Sequence, residues 1–305
     1  MSSNEFDLIR RYFWGLGGGE AIRLGIGDDA ALLDLPPGEV LVASVDTLVE
    51  GVHYPEDTFP EDVGYRALAV AASDLAAMGA SPLACTLALT LPAADELWLQ
   101  AFSEGLARAC ADCGLPLAGG DTTRGPATVI TIQVFGACPA GAALRRDGAR
   151  PGDRVCVTGT VGDAAAALAI LEERWHPGPE AAAVLLERFN RPTPRLALGE
   201  RLRGAATAAI DVSDGLLADL GHIAAASGVA IALDSAALPL SPALAAAGEQ
   251  GRAWALGGGD DYELAFTLPA EAALPEGCTH IGEVREGSGL SVDGEPADAS
   301  GYRHF

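Results

Sequence analysis

With 305 residues, 49% of them hydrophobic and 20% charged, the chain has enough material for one large or two medium globular units and too much apolar content for disorder. Nineteen basic residues against 42 acidic ones leave a formal charge of −23, which argues against nucleic acid or an anionic membrane as a partner. All nineteen basic residues are arginine, so a Walker-type phosphate loop, a pyridoxal Schiff base and a lysine nucleophile are excluded.

No apolar run reaches the roughly 18 residues of a spanning helix. The opening Met1-Ser-Ser-Asn-Glu-Phe-Asp7 carries acids where a secretory leader needs bases, so a cytoplasmic location is expected. In chain order, the hydrophobic patterning predicts a strand over 41–49, a helix over 62–78, a strand over 83–91, a helix over 94–113 and a strand over 127–136. A Gly-, Pro- and Arg-rich stretch from Cys138 to Asp153 follows and reads as an interdomain connection. Beyond it come a strand over 154–158, the turn Gly159-Thr-Val-Gly-Asp163 and a helix over 164–171. A further helix, a strand ending near Asp211, a helix over 214–226 and strands near 229–233 and 263–268 complete the pattern. Two α/β domains with mixed sheets are expected, over residues 1–138 and 139–305. Cys110-Ala-Asp-Cys113 has neither a second pair nor a nearby histidine and reads as packed thiols, reduced like the other four cysteines.

Chemistry is suggested by where the aspartates fall. Six acidic motifs sit among small or apolar residues: Gly27-Asp-Asp-Ala30, Ser44-Val-Asp46, Ser73-Asp74-Leu75, Gly119-Gly-Asp121, Asp211-Val-Ser-Asp214 and Gly258-Gly-Asp-Asp261. Alternation along the strand over 41–49 puts Ser44 and Asp46 on one face, where Val45 has only its carbonyl to offer. In the helix, Val63, Ala67, Val70 and Asp74 follow helical spacing, so Asp74 falls on the apolar stripe, where a bare carboxylate is costly. A divalent cation relieves both problems, and hard oxygen donors without His or Cys suit Mg²⁺. Each motif also has a plain structural reading: Asp28–Asp29 as a turn, Ser213 as the N-cap of the next helix, Asp260–Asp261 as loop. Arg124, Arg145 and Arg146 are candidate phosphate partners, with solvated linker charge as the alternative for the last two. A lone histidine such as His53 is more often a structural hydrogen-bonding group.

The strings Leu24-Gly-Ile-Gly-Asp-Asp-Ala-Ala-Leu-Leu33, Asp46-Thr-Leu-Val-Glu-Gly-Val-His53, Ser73-Asp-Leu-Ala-Ala-Met-Gly-Ala80, Gly119-Gly-Asp-Thr-Thr-Arg-Gly125, Ile210-Asp-Val-Ser-Asp-Gly-Leu216 and Gly258-Gly-Asp-Asp-Tyr-Glu-Leu264 resemble those of the bacterial thiamine-monophosphate kinases. The resemblance runs from Phe6 to the final Gly301-Tyr-Arg-His-Phe305. It implies ATP-dependent phosphorylation of thiamine monophosphate to thiamine diphosphate. It also implies the two-domain fold of aminoimidazole ribonucleotide synthetase, a homodimer paired through the N-terminal sheet, and a nucleotide and metal cleft lined chiefly by the N-terminal domain. Carried over by position, it places several Mg²⁺ ions on Asp29, Ser44, the Val45 carbonyl, Asp46, Asp74, Asp121, Asp211 and Asp214. Nucleotide contacts fall on Gly120, Asp121, Arg146 and Ser213, and substrate contacts on His53, Asp260 and Tyr302. The family commonly has Glu where this chain has Asp260, one methylene shorter. Because the acceptor is already a phosphate oxygen anion, no residue is assigned to proton transfer.

Relatives of the same fold fit less well: selenophosphate synthetase uses an N-terminal Cys or selenocysteine with a Lys, and the hydrogenase-maturation protein a C-terminal Cys. A nucleotide or Mg²⁺ sensor without turnover, and a two-metal phosphohydrolase, are the alternatives of other classes.

Overall fold

The computed structural model describes residues 5–299 and 301–302, with Glu5 described by its backbone alone. Two compact units result, one of residues 1–75 and 80–141, the other of 76–79 and 142–305.

In the first unit the N-terminal helix α1 (Glu5–Leu8) runs on through two short helical turns to Leu16. A small hairpin, β1 (Ile22–Leu24) with β2 (Leu32–Leu33), follows. The main elements are β3 (Glu39–Val49), α2 (Pro60–Ala77), β4 (Ser81–Leu91), α3 (Glu96–Cys113), β5 (Leu117–Arg124) and β6 (Val129–Pro139). The sheet order is β3-β6-β4-β5, antiparallel except for the parallel β4–β5 pair. Asp95 caps α3, its carboxylate accepting from the N–H groups of Leu97 at 2.9 Å and Trp98 at 3.2 Å, and Gly114 ends the helix in the left-handed region. Helix α2 is buried over most of its circumference: Val63, Ala67 and Val70, but also Arg66 and Ala69, are at most 2% exposed. The apolar stripe inferred from sequence is therefore only part of its buried surface. Cys110 and Cys113 are buried free thiols at 8% and 4% exposure, as the packed-thiol reading expects.

The second unit contains β7 (Arg154–Thr158), α4 (Asp163–Leu171), α5 (Pro179–Asn190), α6 (Leu196–Leu202), β8 (Ala208–Asp211), α7 (Leu216–Ser227) and β9 (Ala230–Leu233). After them come α8 (Pro242–Ala245), α9 (Glu249–Gly257), β10 (Leu264–Leu268), β11 (Cys278–Arg285), β12 (Gly289–Val292) and β13 (Glu295–Ala297). Its seven strands run in the order β13-β12-β9-β11-β7-β10-β8, antiparallel except between β12 and β9. Period-two alternation divides the core between two faces. Val155, Val157, Ile210 and Ala265 pack with Leu216, Leu220 and Ile223 of α7. Cys156, Ala209, Leu264 and Phe266 pack with Leu198 and Leu202 of α6.

Where α2 and α3 meet, a Cβ on Gly105 would strike the backbone of Glu61. Gly105→Ala is expected to force the two helices apart and cost about 1–3 kcal/mol, read as a lower melting temperature with the fold retained by circular dichroism.

Candidate functional site

Ser44 and Asp46 point to one side of β3, as alternation requires: both are half-buried, whereas Ala43, Val45 and Thr47 are exposed. Asp74, in the last turns of α2, meets them, and the Ser44 hydroxyl donates to Asp74 Oδ2. Burial, and then the negative charge of Asp74, push the Asp46 carboxyl up to about 6. Neither carboxylate has an ion pair to arginine among the described residues. The result is two like charges and a hydroxyl, all hard oxygen donors, with their repulsion unrelieved by the protein. This donor set fits a divalent cation such as Mg²⁺. Val45 is 57% exposed with its side chain on the opposite face, so its carbonyl is the only group it can offer there.

A second feature of the same unit is a cavity of about 890 Å³, lined on one side by the Gly25–Ala31 loop and on another by the Leu117–Thr122 segment of β5. It brings Asp28 and Asp29 together with Gly119, Gly120 and Asp121, three of them predicted site residues. Asp29 and Asp121 are both exposed. The turn reading is also realised, since the Asp29 N–H donates to Asp28 Oδ1 at 2.8 Å. Gly120 has its own packing reason: a Cβ there would strike the Leu87 carbonyl across the parallel β4–β5 pair. At Gly119 a Cβ would meet nothing within 4 Å.

Sequence reasoning missed the remaining wall. Phe13 packs edge-on against Phe102 of α3, ring centroids 6.4 Å apart, and this anchors the N-terminal segment. Phe6, Arg10 and Trp14 then line the cavity, and the Trp14 ring lies so close that a Cβ on Gly27 would come within 2.6 Å of it. His53 follows β3 in a tight turn and accepts at Nδ1 from the Val49 N–H at 3.0 Å, so its neutral ring carries the proton on Nε2.

In the second unit, two of the acidic motifs are hydrogen-bonded to each other. The Asp260 N–H donates to the Ser213 carbonyl and the Tyr262 N–H to the Val212 carbonyl, both at 2.9 Å. The Tyr302 N–H reaches the Asp214 carbonyl at 3.4 Å, so Ser213, Asp214, Asp260 and Tyr302 share one neighbourhood. Asp211 ends β8 and is buried. Ser213 does not cap helix α7: Gly215 is the N-cap, and no side chain caps there. Asp219, four residues into the helix and buried, does this work instead. Its Oδ2 accepts from the N–H groups of Ser213, Asp214 and Gly215 at 3.0, 3.1 and 3.2 Å. Burial, then the charge of Asp214, raise its carboxyl to about 7 against the pull of those three donors. The sequence signal was an acid in the first turn of a helix, too common to single out. Arg145 is tied to Asp147 by two bonds of 2.7 Å, while Arg146 is exposed.

Among the described residues no three His, Cys, Asp or Glu side chains stand close enough to hold a metal ion. The motifs gather as a two-carboxylate group with Ser44, as the rim of a cavity, and as a hydrogen-bonded loop pair; like charges oppose closer approach.

The model of AIR synthase related protein, N-terminal domain, matches residues 27–138, and that of the C-terminal domain matches 150–295. The whole chain is 47% identical to the thiamine-monophosphate kinase of Salmonella typhimurium and covers 99% of it. The chain belongs to the thiamine-monophosphate kinase family. A crystal structure of thiamine-monophosphate kinase from Stenotrophomonas maltophilia superposes with a TM-score of 0.85 at 48% identity, over 91% of this chain and 93% of that one. The structure of AaThiL complexed with AMPPCP and TMP does so with a TM-score of 0.83 at 36% identity, over 99% and 97%.

Asp219 supplies a test of the loop geometry through stability. Its folded-state carboxyl titrates near 7 against an ordinary 3.8, so between those values the folded chain keeps a proton that the unfolded chain has released. This group's contribution to stability therefore falls as pH rises from about 4 to about 7 and is flat above. Melting temperatures of the parent and of Asp219→Asn across that range should show a shallower pH dependence in the variant, with the difference turning in the variant's favour at the alkaline end.

Proposed function

We infer that the chain transfers the γ-phosphoryl group of ATP to thiamine monophosphate, forming thiamine diphosphate and ADP. Full-length identity of 47% to a thiamine-monophosphate kinase carries this reading. The relative complexed with AMPPCP and TMP supports both substrates.

The electrostatic problem defines what the residues must do. Two polyanions have to meet on a chain of charge −23 that has no lysine. We assign Asp29, Ser44, the Val45 carbonyl, Asp46, Asp74 and Asp121 in the first unit as Mg²⁺ ligands, and Asp211 and Asp214 in the second. Mg²⁺ held by these residues would offset the negative charge of the phosphate oxygens. The chain's own part is positional. β3 and α2 hold Ser44, Asp46 and Asp74 together, and β5 presents Gly120 and Asp121 to the cavity floor. Trp14 and Phe13 give that cavity an aromatic side suited to a purine base. Ser213 and Arg146 are assigned to the nucleotide. His53, Asp260 and Tyr302 are assigned to thiamine monophosphate, with Tyr302, 54% exposed, offering a ring face to the cationic heterocycle. The acceptor oxygen is anionic near neutral pH, so no side chain has to remove a proton from it.

The reading is tested by incubating the protein with Mg-ATP and thiamine monophosphate and separating products by chromatography. Thiamine diphosphate is expected, EDTA should abolish it, and phosphate release without an acceptor would instead mark a phosphohydrolase. Asp46→Asn should lower turnover by at least about 100-fold. Its melting temperature should equal or exceed the parent's, because the variant no longer holds a half-buried charge beside Asp74.

We also propose that two copies associate through β3. This eleven-residue strand is an edge of its sheet and exposes Val40, Leu41 and Val45 at 44–57%. A long apolar edge of that kind ordinarily needs a partner or a block. Sedimentation should give a dimer for the parent and a shift toward monomer for Leu41→Arg.

A further inference from the structure

Four residues other than glycine adopt the left-handed backbone region among the described residues, and two of them, Asp260 at φ 68° and Tyr262 at φ 51°, lie two positions apart in the Gly258–Glu263 loop. Side chains with a Cβ disfavour that conformation, and it persists where the surroundings over-determine it. Here the surroundings do so from several directions. The N–H groups of Asp260 and Tyr262 are bonded to the carbonyls of Ser213 and Val212, and the Val212 N–H returns a bond to the Glu263 carbonyl at 2.8 Å. Between the two strained residues, Asp261 is 3% exposed and accepts from the Gly162 N–H at 2.7 Å. Glu263, with no exposed surface, takes Arg188 at 2.8 Å, Arg195 at 2.6 Å and the Thr158 hydroxyl.

Locking the backbone this way has one side-chain consequence. Tyr262 comes round onto Asp260, and its hydroxyl donates to Asp260 Oδ1 at 2.9 Å. Asp260 is half-buried beside the Asp211–Asp214 segment. It is one methylene shorter than the glutamate common at this position in the family, so its reach depends on how the carboxylate is aimed. A phenol bonded to one oxygen restricts rotation about the Cβ–Cγ bond and aims the other oxygen.

We propose that Tyr262 is a positioning residue for substrate recognition: its hydroxyl holds the Asp260 carboxylate in the orientation that meets the cationic thiazolium or the amine-bearing pyrimidine of the substrate. This rests on the reading of Asp260 as a thiamine monophosphate contact. The hydroxyl is bonded to Asp260, so its removal should affect that substrate and not the nucleotide.

Steady-state kinetics and melting temperatures of the parent, Tyr262→Phe, Asp260→Asn and the double variant test this. Tyr262→Phe should raise KM for thiamine monophosphate about tenfold, the scale of a hydrogen bond to a charged group. KM for ATP, kcat within about twofold and the melting temperature should stay at parent values, because the phenyl ring keeps the packing. In the Asp260→Asn background the same replacement should change KM by less than about twofold, the signature of two residues acting as one. An unchanged KM for thiamine monophosphate in Tyr262→Phe overturns the proposal. So does an equal loss with and without the Asp260 carboxylate, or a loss shared by the ATP KM or matched by a lower melting temperature. A parent that does not convert thiamine monophosphate overturns the function reading itself, and this proposal with it.

Discussion

Asp46 and Asp74 hold two negative charges close together in partly dehydrated surroundings, where the Ser44 hydroxyl donates to Asp74. Burying like charges is unfavourable unless something offsets it, and no arginine does so here. The chain accepts that cost between the edge strand β3 and helix α2, which is buried over most of its circumference. This is the cation site proposed above, and the proposed phosphate chemistry depends on it, since the protein has no lysine to neutralise an incoming polyanion.

Close backbone approach is the second device. Gly105 lets α3 meet α2, and Gly120 lets β5 pair with β4 beneath the cavity. Glycines in this chain therefore answer to packing as well as to ligand access, and Gly120 answers to both if the nucleotide assignment holds. The N-terminal segment is fastened by Phe13 on Phe102 and completes the cavity with Trp14. In the second unit, ordering comes from hydrogen bonds between loops. Asp219 collects three successive N–H groups, and Glu263 collects two guanidinium groups and a hydroxyl. Buried acids hold in place the loops that carry the half-buried Asp214 and Asp260.

Much of this was legible in the sequence. Alternation in β3 correctly put Ser44 and Asp46 together, because a period of two leaves no choice once the strand is recognised. Helical spacing put Asp74 on the apolar stripe of its helix, although α2 proved buried nearly all round. Eleven of the strands and helices were read near their observed positions. By contrast β5 was read as a motif and not as a strand, since Gly-Gly-Asp-Thr-Thr has little strand propensity and pairs only because β4 lies alongside. Strands β11 to β13 were missed as well; β12 and β13 have only four and three residues, and β11 is interrupted by glycine and charge.

The sequence by itself determined the class of chemistry: oxygen donors in excess, arginine as the sole permanent cation, six acidic motifs in a family's order, a strand with Ser44 and Asp46 on one face, and a helix with Asp74 on its apolar stripe. Only the tertiary structure decided that Asp219 organises the Ser213 loop and that Tyr262 bonds Asp260. It also decided that the N-terminal aromatics share a cavity with Asp29 and Asp121. Periodicity describes a residue's direction within its own element. Contacts between elements far apart in the chain depend on how those elements pack, and no local pattern encodes that.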